Sequence, residues 1–351
     1  MKKFILLILC MALLLSGCTW MDGEYHSVTP HSSTGVKLSD DVVTVTNYND
    51  VRDALVKMVT SGKQQSTFYI SGFSLEAVDQ YMNTAIMHVF QVSAVGAYAV
   101  DEIKYEAGNS GGKAAIAVNI TYNHGRQEIL QIRSVGNMTD ATALIAHALK
   151  NHESTMVIKV KAYEELDIQQ FVDAYVNANP HLCMENPQVA SMIYPDRGEE
   201  RVLELIFNYQ TSRDALRIMQ DMVAPIFSAA EMYVQGSGDD RQKYEQLYSF
   251  LMERFDYKYE TSITPTYSLL RYGVGDSKAI AKVYSVMCQN ADLQCHVVTG
   301  TKDGEAYTWN LIRFDGTDYH VDLLASSAAG EFALMQADDM SGYVWDYSEF
   351  Q

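Results

Sequence analysis

The chain has 351 residues and is strongly acidic, with 44 Asp and Glu against 26 Lys and Arg for a formal net charge of −18. That balance argues against a nucleic-acid partner and against electrostatic adhesion to anionic lipid. Neither the spacing of its five cysteines nor any accompanying histidine makes a zinc pattern, and no motif in the chain implies a cofactor.

Lys2 and Lys3 precede an apolar run from Phe4 to Leu15, too short to span a bilayer as a permanent helix. The run closes in Leu15-Ser16-Gly17-Cys18, which resembles a bacterial lipobox. Residues 1–17 therefore read as a leader that is cleaved, leaving lipid on Cys18. The expected place is the cell membrane, with the protein lipid-anchored on the extracytoplasmic face. Without Lys2 and Lys3 the net charge becomes about −20. Residues 18–41 are polar and rich in Ser, Thr, Gly and Asp, the composition of a flexible tether. Cys10 leaves with the leader, so Cys183, Cys288 and Cys295 remain. A Cys288–Cys295 bridge is conceivable in an exported protein, and buried thiols are the simpler expectation.

The residues after the tether exceed what one core usually covers. Residues 49–61 have helical spacing (Val51, Leu55, Met58, Val59), followed by a strand at 67–70 and an amphipathic helix at 75–90. Strand-like runs at 98–105 and 114–122 flank the turn-rich Gly108-Asn109-Ser110-Gly111-Gly112. The same order returns as a helix at 140–150, a strand at 155–158, a helix at 168–178, and strands at 189–194 and 202–209 around Asp196-Arg197-Gly198-Glu199. Thr67 and Thr155 lie 88 positions apart, and Tyr122 and Tyr209 lie 87 apart. Two tandem small α+β repeats, 42–125 and 126–211, are expected. Their histidines (His88, His124, His147, His152) are scattered without ligand spacing.

A third domain, 212–351, begins with helices at 212–234 and 241–255, the second carrying a stripe of Tyr244, Leu247, Leu251 and Phe255. Pro265 interrupts the chain, and Asp276 or Ser277 is placed to cap a helix running to about 290. Strands follow at 295–299, 307–314 and 318–323, with a turn at Asp315-Gly316.

Three short stretches of this domain form an ordered set: Gly273-Val274-Gly275-Asp276-Ser277-Lys278-Ala279, Tyr307-Thr308-Trp309-Asn310, and Tyr319-His320-Val321-Asp322. The segment 240–325 resembles the transglutaminase-like superfamily, whose members read Gly-Val-Cys-x-x-x-Ala, His-x-Trp-Asn and Tyr-x-x-Asp. The resemblance implies an α+β domain of the papain-like cysteine-protease type. In that chemistry a thiol at a helix start is held as thiolate by unpaired N–H groups and the helix dipole. A strand histidine then moves the proton, and a carboxylate on the next strand orients the histidine. Here Gly275 stands at the cysteine position, Tyr307 at the histidine position, and of the triad Asp322 alone is kept. Gly275 has no nucleophile, and a phenol titrating near 10 is a poor base at neutral pH. Asp322 without a histidine is expected to hydrogen-bond Tyr307 or to cap a turn.

Ser277 is the conceivable substitute nucleophile and His320 the conceivable substitute base. Trp309 and Tyr272, with Tyr307, would offer aromatic contact area to a ligand in the former cleft. The function expected is therefore a surface-anchored lipoprotein with a non-catalytic transglutaminase-like domain binding a peptide, a protein or a peptidoglycan fragment. The alternatives are an active hydrolase or acyltransferase of transglutaminase-like type using Ser277 or another unconventional nucleophile, and a purely structural surface protein.

Overall fold

The computed structural model describes residues 42–254 and 257–346. The leader, the tether and Cys18 lie outside the described residues, as does Phe255. Twelve strands in this part of the chain make three four-stranded sheets.

The first sheet has the order β1-β2-β4-β3. Here β1 (Val42–Val45) runs parallel to β2 (Gln65–Ile70), and β4 (Lys113–Tyr122) is antiparallel to both β2 and β3 (Val100–Ser110). Helices α1 (Tyr48–Thr60), α2 (Val78–Gln91) and α3 (Ala94–Ala99) complete it. The periodic residues Val51, Leu55 and Val59 of α1 and Met82 and Val89 of α2 close over Phe68 and Ile116 as one core. Asn47 starts α1 by accepting from the Asp50 N–H at 3.2 Å, which satisfies one of the N–H groups left over at a helix start.

The second sheet has the order β5-β6-β8-β7. Its β5 (Arg133–Asn137) is parallel to β6 (Thr155–Ala162), while β8 (Arg201–Asn208) is antiparallel to β6 and to β7 (Gln188–Tyr194). A short α4 (Arg126–Leu130) leads in, and α5 (Met138–Lys150) and α6 (Ile168–Ala178) pack on the sheet through Ile145, Leu149 and Val172. Asn137 caps α5 by accepting from the Asp140 N–H at 2.9 Å.

In the last region, α7 (Arg213–Val234), α8 (Asp240–Met252) and α9 (Pro265–Tyr272) surround α10 (Ser277–Asn290). The third sheet, ordered β11-β10-β9-β12, packs on α10. It comprises β9 (Cys295–Lys302), β10 (Glu305–Phe314), β11 (Thr317–Val321) and β12 (Tyr343–Trp345). Ten of the fourteen residues of α10 are buried, so it is the central element and not an amphipathic surface helix. Polar bonds fix it against its neighbours: Tyr284 OH donates to Tyr244 O at 2.9 Å, Ser285 Oγ to Cys295 O at 3.0 Å, and Asn310 Nδ2 to Ala281 O at 2.9 Å.

Several expectations need correction. Residues 94–99 are helical, because Ser93 caps them by accepting from the Gly96 N–H, so β3 begins at Val100 instead of Tyr98. Gly108, Asn109 and Ser110 belong to β3, and the hairpin turns on Gly111 and Gly112 alone, both at positive φ (58° and 81°). Pro265 starts a helix instead of merely interrupting the chain, occupying the first turn of α9 where its missing N–H costs nothing. The edge strands β1 and β5, the helix α4, and a last helix α11 (Leu323–Ala329) with β12 add to the elements expected. Cys183, Cys288 and Cys295 are free, buried thiols, and Cys295 Sγ accepts from Asn310 Nδ2 at 3.4 Å.

Replacing Asn47 or Asn137 by Ala should each cost about 1 kcal/mol of stability in urea unfolding. The caps share no partner, so the double variant should show the sum of the two losses.

Candidate functional site

The chain leaves α9 through Gly273, whose φ of 67° lets the helix end in a left-handed turn. Val274 and Gly275 then pass beside Lys258, with the Gly275 N–H donating to Lys258 O at 3.1 Å. Asp276 caps α10 by accepting from the Ala279 N–H at 2.8 Å. Ser277 is the first residue of the helix; its N–H donates to Tyr259 OH at 3.1 Å, and its Oγ accepts from the Thr308 N–H at 3.3 Å. Gly275 is buried, and a Cβ built on it would stand 2.8 Å from Leu269 Cδ1 and 3.4 Å from Ala279 Cβ. A side chain at this position would require the Leu269 methyl to shift.

Asp322 lies just past β11 and is 2 % exposed. Its Oδ1 accepts from Tyr307 OH at 3.1 Å and from the N–H groups of Leu324 and Ala325, both at 3.0 Å. Its Oδ2 accepts from Lys302 Nζ at 2.7 Å and Tyr343 OH at 2.6 Å. Both expected fates of this carboxylate are met at once, since it bonds Tyr307 and caps α11. Burial pushes its pKa up, but the Lys302 and Tyr343 hydrogen bonds, the Ala325 N–H and the Lys302 charge outweigh burial and hold it below the usual value. Lys302 also sits 4.9 Å from the Tyr307 ring centre and 5.0 Å from that of Tyr343, a cation–π arrangement on two faces.

Burial and the neighbouring Asp322 charge together raise Tyr307 far above an ordinary phenol. It is a fixed donor and cannot accept a proton from a nucleophile. The space enclosed by Ser277, Tyr307, Thr308, Trp309, Asp322 and Leu324 is about 10 Å³, the least that holds one water.

The other residues expected at the site take different roles. Trp309 is 1 % exposed, packs with Val298, Leu311 and Met340, and donates from Nε1 to His320 Nδ1 at 3.0 Å. It is a core residue and offers no surface to a cleft ligand, which corrects its expected role. His320 is 4 % exposed, opposes Leu311 across the sheet, and packs edge-on against Trp345. Its ring bonds Trp309 on the sheet face turned from α10, whereas Asp322 has already left the strand as the cap of α11. His320 is therefore not placed to act as a base beside Asp322. Among the described residues Ser277 bonds Tyr259 and Thr308 and no imidazole. Tyr272 is 63 % exposed and pairs with Tyr267 through their hydroxyls at 3.1 Å, outside the lining of the small space.

Lys302, Tyr343 and Tyr259 complete the cluster and were not legible as site residues. Lys302 and Tyr343 meet because β12 pairs with β9 in the register Tyr343↔Lys302, and no local pattern announces that pairing.

Residues 228–323 match the family model of the transglutaminase-like superfamily and form a transglutaminase-like domain. No curated protein matches the chain. Among solved structures, the chain is similar to a TGase at 9 % identity and TM-score 0.28, over 58 % of this chain and 62 % of that one. It is also similar to a candidate protease from Parabacteroides distasonis at 10 % identity and TM-score 0.24, over 73 % of this chain and 40 % of the other. The chain thus spans less than two thirds of the length of either.

Removing the carboxylate strands a half-buried ammonium and two hydroxyls. Asp322→Ala should therefore cost about 3 kcal/mol, the lower end for breaking a buried pair, because Lys302 keeps 28 % exposure. The folded-state pKa of Asp322 is depressed, so its contribution is fully present above the ordinary value of 3.8 and is lost as pH falls through the folded value. Thermal melts between about pH 5 and pH 2 should show a shallower acid loss for Asp322→Asn than for the native protein.

Proposed function

We propose that this chain is an exported lipoprotein, anchored through Cys18, whose transglutaminase-like domain binds a peptide, protein or peptidoglycan fragment without catalysis. The single observation that carries the non-catalytic reading is the capture of Asp322 by Lys302, Tyr307 and Tyr343. A triad acid must orient an imidazole; this one is committed to an ammonium, two phenols and a helix start. The crowding of Gly275 by Leu269 supports the same conclusion from the nucleophile side.

The preceding region, in this reading, is a tandem pair of α+β units that space or present the last domain. Support comes from their common strand order, with one parallel pair followed by two antiparallel pairs. The Asn47 and Asn137 caps correspond in position and backbone, with φ of −157° and −153°. A clasp also recurs: Arg126 Nε donates to Ser61 O at 3.1 Å, and Arg213 Nε to Asn151 O at 3.0 Å. Each arginine opens the helix after its unit and ties it to the end of an earlier helix of that unit, α1 in the first and α5 in the second.

Acyl-transfer and peptide-hydrolysis assays test the non-catalytic reading. The native protein should be silent, and Gly275→Cys with Tyr307→His should gain slow, thiol-dependent turnover only once Leu269→Ala clears room for the new side chain and Lys302→Ala with Tyr343→Phe frees Asp322. Turnover by the native protein that disappears in Ser277→Ala would overturn it in favour of a serine-based enzyme. For the anchor, Cys18→Ser should move the protein from the membrane fraction to the soluble fraction and abolish labelling by a fatty-acid probe.

A further inference from the structure

A cavity of about 340 Å³ lies where the second α+β unit meets the last domain, on the flank of α10 turned from the sheet. Its wall includes Asn177 at the end of α6, Cys183 and Glu185 in the following loop, and Asp276, Lys278 and Lys282 of α10 and its cap. Lys278 and Lys282 stand one turn apart on α10, near enough that the Lys278 charge lowers the pKa of Lys282. Lys282 donates across the cavity to Asn177 Oδ1. Among the described residues neither lysine forms an ion pair.

The two carboxylates in the wall do not supply the missing charge. Glu185 is 4 % exposed and spends both oxygens on backbone donors, Gln210 N–H at 2.5 Å and Thr211 N–H at 3.0 Å. Asp276 caps α10 through Oδ1 and reaches Lys282 only through a favourable charge interaction that others outweigh. The Cys183 thiol, pushed by burial up to about 12, is neutral and contributes no anion. Two cations are thus held together in the first turns of a helix, where the dipole already disfavours positive charge. Burial first, and then the Lys278 charge, bring Lys282 down to about 8.

We propose that this cavity is a binding site for a small oxyanion, a molecule bearing a carboxylate or a phosphate that Lys278 and Lys282 grip together with the Asn177 amide. An oxyanion there neutralises the like-charge pair and supplies the anionic acceptor that neither ammonium has among the described residues. The volume lies at the lower end of small-molecule pockets. The acidic surface of the rest of the chain repels a large polyanion, so a small ligand suits the site better than a polymer. Such a ligand would join the second unit to the last domain across α6 and α10. This site is independent of the fate of the triad and of the lipid anchor.

The test is calorimetric titration of the whole protein with succinate and, separately, with inorganic phosphate, at about pH 8, where Lys282 is partly neutral. Sodium chloride at matched ionic strength is the reference. Saturable binding of either probe is expected, with proton uptake read from the dependence of the heat on buffer ionisation. Succinate alone binding assigns a carboxylate ligand, and phosphate alone assigns a phosphate. Lys282→Gln and Lys278→Gln should each weaken binding about tenfold, and Lys282→Gln should abolish the proton uptake. Lys57→Gln, on α1 and outside the cavity, should change neither. If Lys282→Gln fails to fold, the exposed Lys278→Gln decides the question alone. Absence of saturable binding beyond chloride, or binding that survives the lysine substitutions, would overturn the proposal.

Discussion

A carboxylate as deeply buried as Asp322 stays ionised only if its surroundings replace the water it has lost. Five donors do so here, drawn from β9, β10, β12 and the first turn of α11. The anion is consequently the point at which four elements meet. The tail beyond Asp322 folds back over the sheet, with Met335 paired to His320 and β12 added at the β9 edge. Each contact limits the freedom of the others: Lys302 must reach inward, Tyr343 must lie over it, and Tyr307 must point its hydroxyl at the same group.

That geometry sets what the site can do chemically. A histidine at position 307 would receive orientation from Asp322 only if the carboxylate were free to give it. In this chain Lys302 neutralises the acid and two phenols share its remaining acceptor capacity. At the helix start, the Ser277 N–H is already taken by Tyr259 OH and the Ser277 Oγ by the Thr308 N–H. The positive end of α10 therefore has little left to stabilise a thiolate or an oxyanion. In the proposed reading, the features that elsewhere serve acyl transfer have become packing and hydrogen-bonding features of a closed core.

The opposite flank of α10 behaves differently. Its sheet face is bonded through Ser277, Ser285 and the Ala281 carbonyl to Thr308, Cys295 and Asn310, whereas Lys278 and Lys282 face a roomy cavity with too little negative charge around them. One helix thus carries a face fixed by hydrogen bonds to the sheet and a face with paired positive charges. The first explains why α10 is fixed in place, and the second is where the remaining capacity for interaction lies.

Much of this was legible along the chain. The apolar spacing of Val51, Leu55 and Val59 placed α1, Asp276 announced the start of α10, and the order Gly275, Tyr307, Asp322 located the site and the bond between its last two members. These are local signals, because helix period, strand alternation and capping depend on residues within a turn or two. Trp309 shows the limit: its motif put it beside the site, on the strand face it shares with Tyr307, while packing on Val298, Tyr343 and Met340 buried it as core instead of leaving it open to a ligand. The edge strand β5 was hidden because its exposed, polar residues carry no alternation, and only the partner β6 makes it a strand. Lys302 and Tyr343 gained their meaning from a β9–β12 register, and the cavity around Lys282 from the docking of α6 on α10. Sequence by itself determined which residues could form elements and which triad groups were missing. Tertiary structure alone decided which distant side chains face one buried charge, because cross-strand register and helix docking are set by packing across the whole domain.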